Sequence, residues 1–183
     1  MIYHLSLQTA GIAAGLFLVL ASLPGLFFPE RARPSVTRLP RSFPLGIGLL
    51  TVAFLWSFWL LATMEMGEFS SFRRPLLLAV PIGYVLILAF VNEFLAVRAL
   101  GILALLAAEP LLDAAFLRYE PSRLLVTIFA YVLIVKGLFW VTMPYVLRDH
   151  LAWTTRSLGR WRFVSVLALF YGAAILACAF TRY

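Results

Sequence analysis

The feature that most constrains this chain is a series of apolar runs about 20 residues long, separated by short polar intervals rich in arginine. A helix of about that length is what crosses the hydrocarbon core of a bilayer. Hydrophobic residues make up 63% of the 183 positions and charged residues only 13%, which is far from the composition of soluble domains. The sequence therefore predicts an all-α, polytopic membrane helix bundle in which residues 1–183 form one integral membrane domain.

Six membrane-spanning helices account for the apolar runs. The third and fourth come from one apolar stretch, Pro75 to Leu117, whose length of about 43 residues would give a single helix of about 64 Å, twice the bilayer core. The polar residues Asn92, Glu93 and Arg98 mark the place where this stretch can turn. The first run lacks a basic segment before it and is longer than the apolar part of a signal peptide, so we expect a helix there. The six helices are expected at about 7–28, 44–64, 75–94, 96–117, 124–147 and 163–180.

The distribution of arginine orients the helices. Of the 15 basic residues, Lys136 is the single lysine and all others are arginine. Arginine-rich loops mark the cytoplasmic side of membrane proteins, and six spans place the two richest loops on the same side, whereas five spans would separate them. Both termini are then expected on the non-cytoplasmic side. The predicted cytoplasmic arginines are Arg31, Arg33, Arg38, Arg41, Arg98, Arg148, Arg156, Arg160 and Arg162, and those opposite are Arg73, Arg74, Arg118, Arg123 and Arg182.

The first and last helix pairs are similar in sequence, with Pro29 aligned on Pro144 and Ala21 on Lys136. In both, an apolar helix is followed by a proline, a basic loop, Leu-Pro or Leu-Gly, and a second apolar helix. This pattern, which covers Gly15 to Gly48 and more loosely Leu133 to Ala168, resembles the small YjeT-like two-helix bacterial inner-membrane proteins of unknown function. The resemblance implies a helical hairpin in a bacterial inner membrane, here present as two parallel copies, and implies no activity.

Three ionisable residues fall inside predicted spans, where an unpaired charge costs several kcal/mol, and they are the candidate intramembrane polar site. Glu109 and Asp113 are four residues apart and so share one face of the fourth helix. Lys136 lies near the middle of the fifth helix, which a short loop makes the antiparallel neighbour of the fourth. We expect Lys136 to pair with Glu109, either as a proton or substrate relay or, the favoured alternative, as an ion pair that pins the two helices together.

The secondary candidate is the cluster of Asn92, Glu93 and Arg98, which an interfacial turn explains better than a binding site. The arginine loops are expected to contact anionic lipid headgroups, although four arginines in one loop could also bind an acidic partner. Nucleic-acid binding is disfavoured, because these arginines lie in short loops between apolar runs.

Catalytic and cofactor chemistry finds little support in the sequence. His4 and His150, the two histidines, are expected on opposite sides of the membrane and cannot share a metal or an axial haem position. Cys178 is the single cysteine, so neither a disulfide within the chain nor a thiolate metal site can form. Motifs for hydrolysis, phosphate binding and zinc proteolysis are missing. The sequence therefore predicts neither cofactor nor metal, and an enzymatic role is disfavoured.

Two functions remain open ahead of a third, a membrane enzyme. The first is a non-catalytic accessory or assembly subunit of a larger membrane complex, favoured by the short loops, the few intramembrane polar groups and the apolar residues on all helix faces. Its partners would be membrane lipids and other membrane protein subunits. The alternative is a small secondary transporter or channel that uses Glu109, Asp113 and Lys136, since duplicated units are one way in which transporters are built.

Overall fold

The computed structural model describes residue 3, residues 5–91 and residues 93–183. These residues form an all-helical bundle, as the composition predicts, with two short 3₁₀ segments, Leu39–Arg41 and Gly67–Phe72. The α-helices are α1 (Leu7–Phe27), α2 (Pro29–Arg38), α3 (Phe43–Thr63), α4 (Arg73–Phe90), α5 (Leu95–Ala115), α6 (Arg123–Thr142), α7 (Tyr145–Thr155) and α8 (Leu158–Thr181).

Six helical segments in the described residues are long and apolar enough to cross a membrane. They are α1, α3, the continuous segment Gly67–Phe90, α5, α6 and α8. The chain is therefore an integral membrane protein. α1, α3 and α5 begin and end within two residues of the predicted positions, because the apolar runs themselves set the length of a spanning helix. The other three segments differ from the prediction by four to eight residues at one end or at both.

The two arginine-rich intervals, expected as loops, are largely helical: α2 covers most of the first, and α7 with the first turn of α8 covers most of the second. α2 begins at Pro29, whose missing N–H costs nothing at the first position of a helix. The fifth spanning helix was expected to reach residue 147, but α6 ends at Thr142 and α7 begins at Tyr145. Pro144 stands at this break, because its ring cannot continue the hydrogen bonding of α6.

The turn between α4 and α5 lies where the polar cluster predicts it. α4 ends at Phe90, four residues before the expected end near Phe94. Phe94 itself has a φ of 55°, in the left-handed region that residues other than glycine seldom adopt, and α5 begins directly after it. Asn92 lies outside the described residues, as does His4.

α1 and α8 are antiparallel and pack through small residues. A Cβ atom added to Gly15 would lie 2.9 Å from the Gly172 carbonyl oxygen, so the two backbones are in contact. Gly11 lies in the same way against Ala179 and the ring of Tyr183. Because lipid is as apolar as a leucine side chain, membrane helices associate by this close packing and not by the hydrophobic effect.

α5 is the most buried helix and packs between α6 and α3. A Cβ atom added to Gly137 of α6 would lie 2.9 Å from the Gly101 carbonyl oxygen of α5, which fixes the register of these antiparallel helices. α4 packs on the outside of α3 and has no buried residue. Most of its apolar surface is thus left for lipid or another protein.

α2 and α7, the short helices of the two arginine-rich intervals, lie on the same face of the bundle. α2 contacts α7, and the Arg33 Nη2 donates a hydrogen bond to the Arg156 carbonyl oxygen at 3.4 Å. We call this side, formed by α2, α7 and their flanking turns, the Arg-rich face. On the opposite face the Tyr183 hydroxyl donates to the Ser122 carbonyl oxygen at 2.6 Å and joins the end of α8 to the start of α6.

The segments α1 to α3 and α6 to α8 follow the same order: a spanning helix, a short helix on the Arg-rich face and a second spanning helix. Pro29 is the first residue of α2 and Pro144 directly precedes α7, so the aligned prolines occupy equivalent breaks. The packing of the two segments differs, however, because α1 pairs with α8 whereas α6 pairs with α5.

The close contact at Gly137 predicts a sharp difference between two glycines. Gly137→Ala should destabilise the protein by about 1–3 kcal/mol, because the new methyl group must push α6 away from the backbone of α5. Gly48→Ala, in α3, places the methyl group in open space and should be neutral or slightly stabilising. Thermal unfolding in detergent measures both. Equal melting temperatures for the two variants would contradict the described packing of α5 on α6.

Candidate functional site

A groove of about 970 Å³ lies between α3, α5 and α6. Glu109 and Asp113 of α5 line it together with Glu65, which follows the end of α3. Its apolar and aromatic wall comes from Trp59, Met64, Leu105, Leu112, Phe116 and Ile134. Among the described lining residues there is no lysine, arginine or histidine. We call this feature the acidic groove.

The acidic groove opens at the end of the bundle opposite the Arg-rich face. Glu109 lies six residues before the end of α5 and Asp113 two residues before it, which corresponds to about 9 Å and 3 Å along the helix axis. Glu109 is exposed and Asp113 is partly exposed. Both carboxylates can thus be hydrated from this end of the groove, which greatly reduces the cost of a charge within a spanning helix.

Glu109 does not pair with Lys136, contrary to the expected ion pair. The contact between Gly101 and Gly137 sets Glu109 level with Phe129 of α6, so that Lys136 lies about 10 Å further along the axis. The Lys136 side chain is exposed and does not line the acidic groove. Within the described residues the ion pair that forms is between Arg148 and Asp149, at 2.8 Å.

Lys136 is closer to the Arg-rich face than to the acidic groove. It lies six residues before Thr142, the last residue of α6, or about 9 Å from that end of the helix. A lysine stem at this depth can extend along the helix and bring its ammonium group to the headgroup region. Lys136 therefore lies towards the other side of the bundle, and it forms no ion pair with the carboxylates of the groove.

The secondary candidate residues lie at the turn between α4 and α5. Glu93 is exposed in this turn, and Arg98 lies in the first turn of α5. Among the described residues Glu93 and Arg98 form no ion pair, and the Arg98 Nε is buried without a hydrogen-bond partner. Asn92, the third member, is outside the described part of the chain. The geometry of Glu93 and Arg98 is that of an interfacial turn.

Aromatic residues beside the acidic groove were not singled out from the sequence. Tyr3 lies before α1, and its hydroxyl accepts a hydrogen bond from the Trp56 Nε1 of α3. The Tyr3 ring centroid is 5.8 Å from that of Trp59, which lines the groove. Burial raises the pKa of the Tyr3 hydroxyl, with a smaller rise from the Glu109 charge opposed by the Trp56 hydrogen bond. Trp56 and Trp59 are one helical turn apart near the end of a spanning helix, and this spacing could have predicted an aromatic wall. Nothing in the sequence pointed to Tyr3.

The chemistry of the acidic groove is that of a cation-binding surface. The three carboxylates form no ion pair within the described residues, and carboxylates grouped in this way attract ammonium or guanidinium groups. Two arginines nearby are bonded to backbone carbonyl oxygens, Arg73 to that of Met64 and Arg123 to that of Ala115. Among the residues that the structure describes, His, Cys, Asp and Glu do not converge in a group of three or more that could hold a metal ion. The groove thus combines carboxylates with an apolar and aromatic wall.

Comparison of the chain with models of protein families, with curated proteins and with solved structures gives no match.

The register of α5 and α6 predicts that Glu109 and Lys136 act independently. The free-energy changes of Glu109→Gln and Lys136→Met should add in the double variant within about 0.5 kcal/mol, because residues that far apart share no partner. Unfolding of the wild type, both single variants and the double variant in the same detergent gives the coupling energy. A coupling of several kcal/mol would mean that the two side chains meet and would contradict this register.

Proposed function

We propose that this integral membrane protein is a non-catalytic accessory or assembly subunit of a larger membrane complex, and that a partner subunit binds in the acidic groove. One observation carries the proposal: Glu109 and Asp113 face a groove whose described lining residues include no cation. A carboxylate in or near a bilayer is stabilised by a counter-charge or by water. The proposed counter-charge is a lysine or arginine on a transmembrane helix of the partner.

The shape of the acidic groove supports a helix as its occupant. Its lining on α5 extends from Leu105 to Phe116, or about 16 Å along the axis. The inner part of this stretch is apolar, through Leu105 and Ala108, and the acids lie towards the open end with Leu112 between them. A partner helix could thus pack its apolar side against α5 and place its basic residue at the level of Glu109.

The alternative, a small secondary transporter or channel, requires a polar path through the bundle. In the described residues the fully buried polar side chains are all serines and threonines, each bonded to a carbonyl oxygen three or four residues earlier in its own chain segment. They are Ser22, Thr154, Thr155 and Ser165, and none lines the acidic groove. Towards the Arg-rich face, α5 continues from the groove with Ala104, Gly101 and Ala99, which are buried and apolar. This arrangement favours a static packing role.

We further propose that the Arg-rich face is cytoplasmic and that the membrane is a bacterial inner membrane. The arginine bias supports the orientation, because positively charged loops are retained on the cytoplasmic side. The resemblance of the two helix pairs to the YjeT-like proteins supports the choice of membrane and a duplication of one hairpin unit. The equivalent breaks at Pro29 and Pro144 are consistent with such a duplication.

Site-specific crosslinking in native membranes tests the partner. A photoreactive amino acid at Leu112, in the acidic groove, should crosslink to a defined protein, whereas one at Phe170, which is 77% exposed on α8, should not give that product. Replacing Glu109 by Gln and Asp113 by Asn should reduce the Leu112 product about 5–30-fold, the effect of losing about 1–2 kcal/mol of polar interhelical contact. Glu68→Gln, an exposed acid outside the groove on the same side, is the matched control.

The outcome that contradicts the subunit proposal is a transport activity. If purified protein in vesicles moves protons or a solute, and Glu109→Gln abolishes this flux while the protein stays folded, the chain is a transporter. A Leu112 crosslink unchanged by the two neutralising substitutions would equally contradict the role of the carboxylates.

Thiol labelling tests the orientation in a background in which Cys178 is replaced by alanine. Cysteines at the exposed positions Ser35 and Ser157 should be protected from an impermeant reagent in intact cells, whereas one at Tyr119, which is 96% exposed, should react. Thr155 is unsuitable because it is buried. The reverse labelling pattern would invert the proposed orientation, and different labelling of Ser35 and Ser157 would contradict their common face.

A further inference from the structure

The Arg-rich face carries a second groove, independent of the proposed partner site. The segments 29–41 and 144–162, which contain α2 and α7, together hold eight arginines but only two acids, Glu30 and Asp149. A groove of about 270 Å³ lies between them. Its lining comes from Thr37, Pro40 and Arg41 on one side and from Arg148, Leu151 and Ala152 on the other.

The two arginines of this groove have N–H donors that make no hydrogen bond within the described residues. The Arg148 Nε donates a hydrogen bond to the Asp149 Oδ1 at 2.8 Å, and Nη2 forms an ion pair with the same oxygen at 2.8 Å. The Arg148 guanidinium lies 5.9 Å from the centre of the Phe94 ring. A guanidinium has five N–H donors, so three of those of Arg148 remain for a ligand. Arg41 is exposed and makes no side-chain hydrogen bond within the described residues.

The position of the groove brings these donors to the membrane surface. Arg41 lies two residues before α3 begins, and Phe94, against which Arg148 packs, directly precedes α5. Both spanning helices thus start at the level of the groove. Beside the arginines its wall is apolar, with Pro40 buried and Leu151 partly buried. At this level the arginines can bind a lipid phosphate, and the apolar wall beside them can contact the glycerol and acyl chains that the phosphate carries.

We propose that the groove between α2 and α7 binds the phosphate of an anionic phospholipid from the leaflet at the Arg-rich face, with Arg41 and Arg148 donating to its oxygens. A lipid is favoured over free phosphate because the spanning helices hold the groove at the headgroup level, where phospholipid is concentrated. The eight arginines of the two segments attract anionic headgroups to this face, and the groove binds one of these headgroups. The site binds its lipid whether or not a partner occupies the acidic groove.

Lipid retention measured by native mass spectrometry tests this site. Protein in a neutral detergent is mixed with equal amounts of phosphatidylglycerol and phosphatidylcholine, and the bound lipids are counted. The wild type should retain one phosphatidylglycerol in preference to phosphatidylcholine. Replacing Arg41 and Arg148 together by Gln should lower this preference about 30-fold, in keeping with the contribution of two basic residues at a charged membrane surface.

The control removes the same charge from the opposite face. Arg74 and Arg118 are both exposed there, and their joint replacement by Gln should leave the preference unchanged. An equal loss of preference in this control variant would overturn the proposal. The absence of a preference for phosphatidylglycerol in the wild type would also overturn it and would favour an acidic protein segment as the occupant. Millimolar inorganic phosphate that displaces the bound lipid would show a small-anion site and would also overturn it. If the double variant does not fold, Arg41→Gln alone replaces it in the test, because this substitution removes no side-chain hydrogen bond within the described residues. It should also lower the preference for phosphatidylglycerol.

Discussion

The close approach of helix backbones at two glycine pairs is the constraint on which the rest of the bundle depends. Gly15 meets Gly172 between α1 and α8, and Gly101 meets Gly137 between α5 and α6. In a bilayer no water is released when two apolar helices meet, so association depends on such close packing. Each contact also fixes a register, and the register decides which side chains lie level with one another across the pair.

The register of α5 and α6 separates the intramembrane charges by side of the membrane. Glu109 and Asp113 lie near the end of α5 at the acidic groove, whereas Lys136 lies near the end of α6 at the Arg-rich face. The chain thus presents a groove lined by carboxylates at one end of the bundle and an arginine-rich face at the other. This polarity suits a protein that binds a cationic helix on one side and anionic lipid on the other, as proposed above.

The short helices α2 and α7 give the bundle more than its orientation. If α2 and α7 were flexible loops, their arginines would be independent charges in the headgroup region. As helices in contact they hold Arg41 and Arg148 on opposite walls of one groove. The breaks that create them, at Pro29 and Pro144, follow from the missing N–H of proline.

The sequence by itself determined the class of fold, the number of spanning segments and the common face of the arginines, because hydrophobic length and charge are local properties that a bilayer reads directly. It also placed Glu109 and Asp113 on one face of one helix, since four-residue spacing is fixed by helix geometry. Only the tertiary structure decided that Lys136 is too far away to pair with Glu109, because that distance depends on the register of two helices. For the same reason Tyr3, Glu65 and Trp59, which are distant in sequence from α5, were found beside the acids only through the packing of α3 on α5.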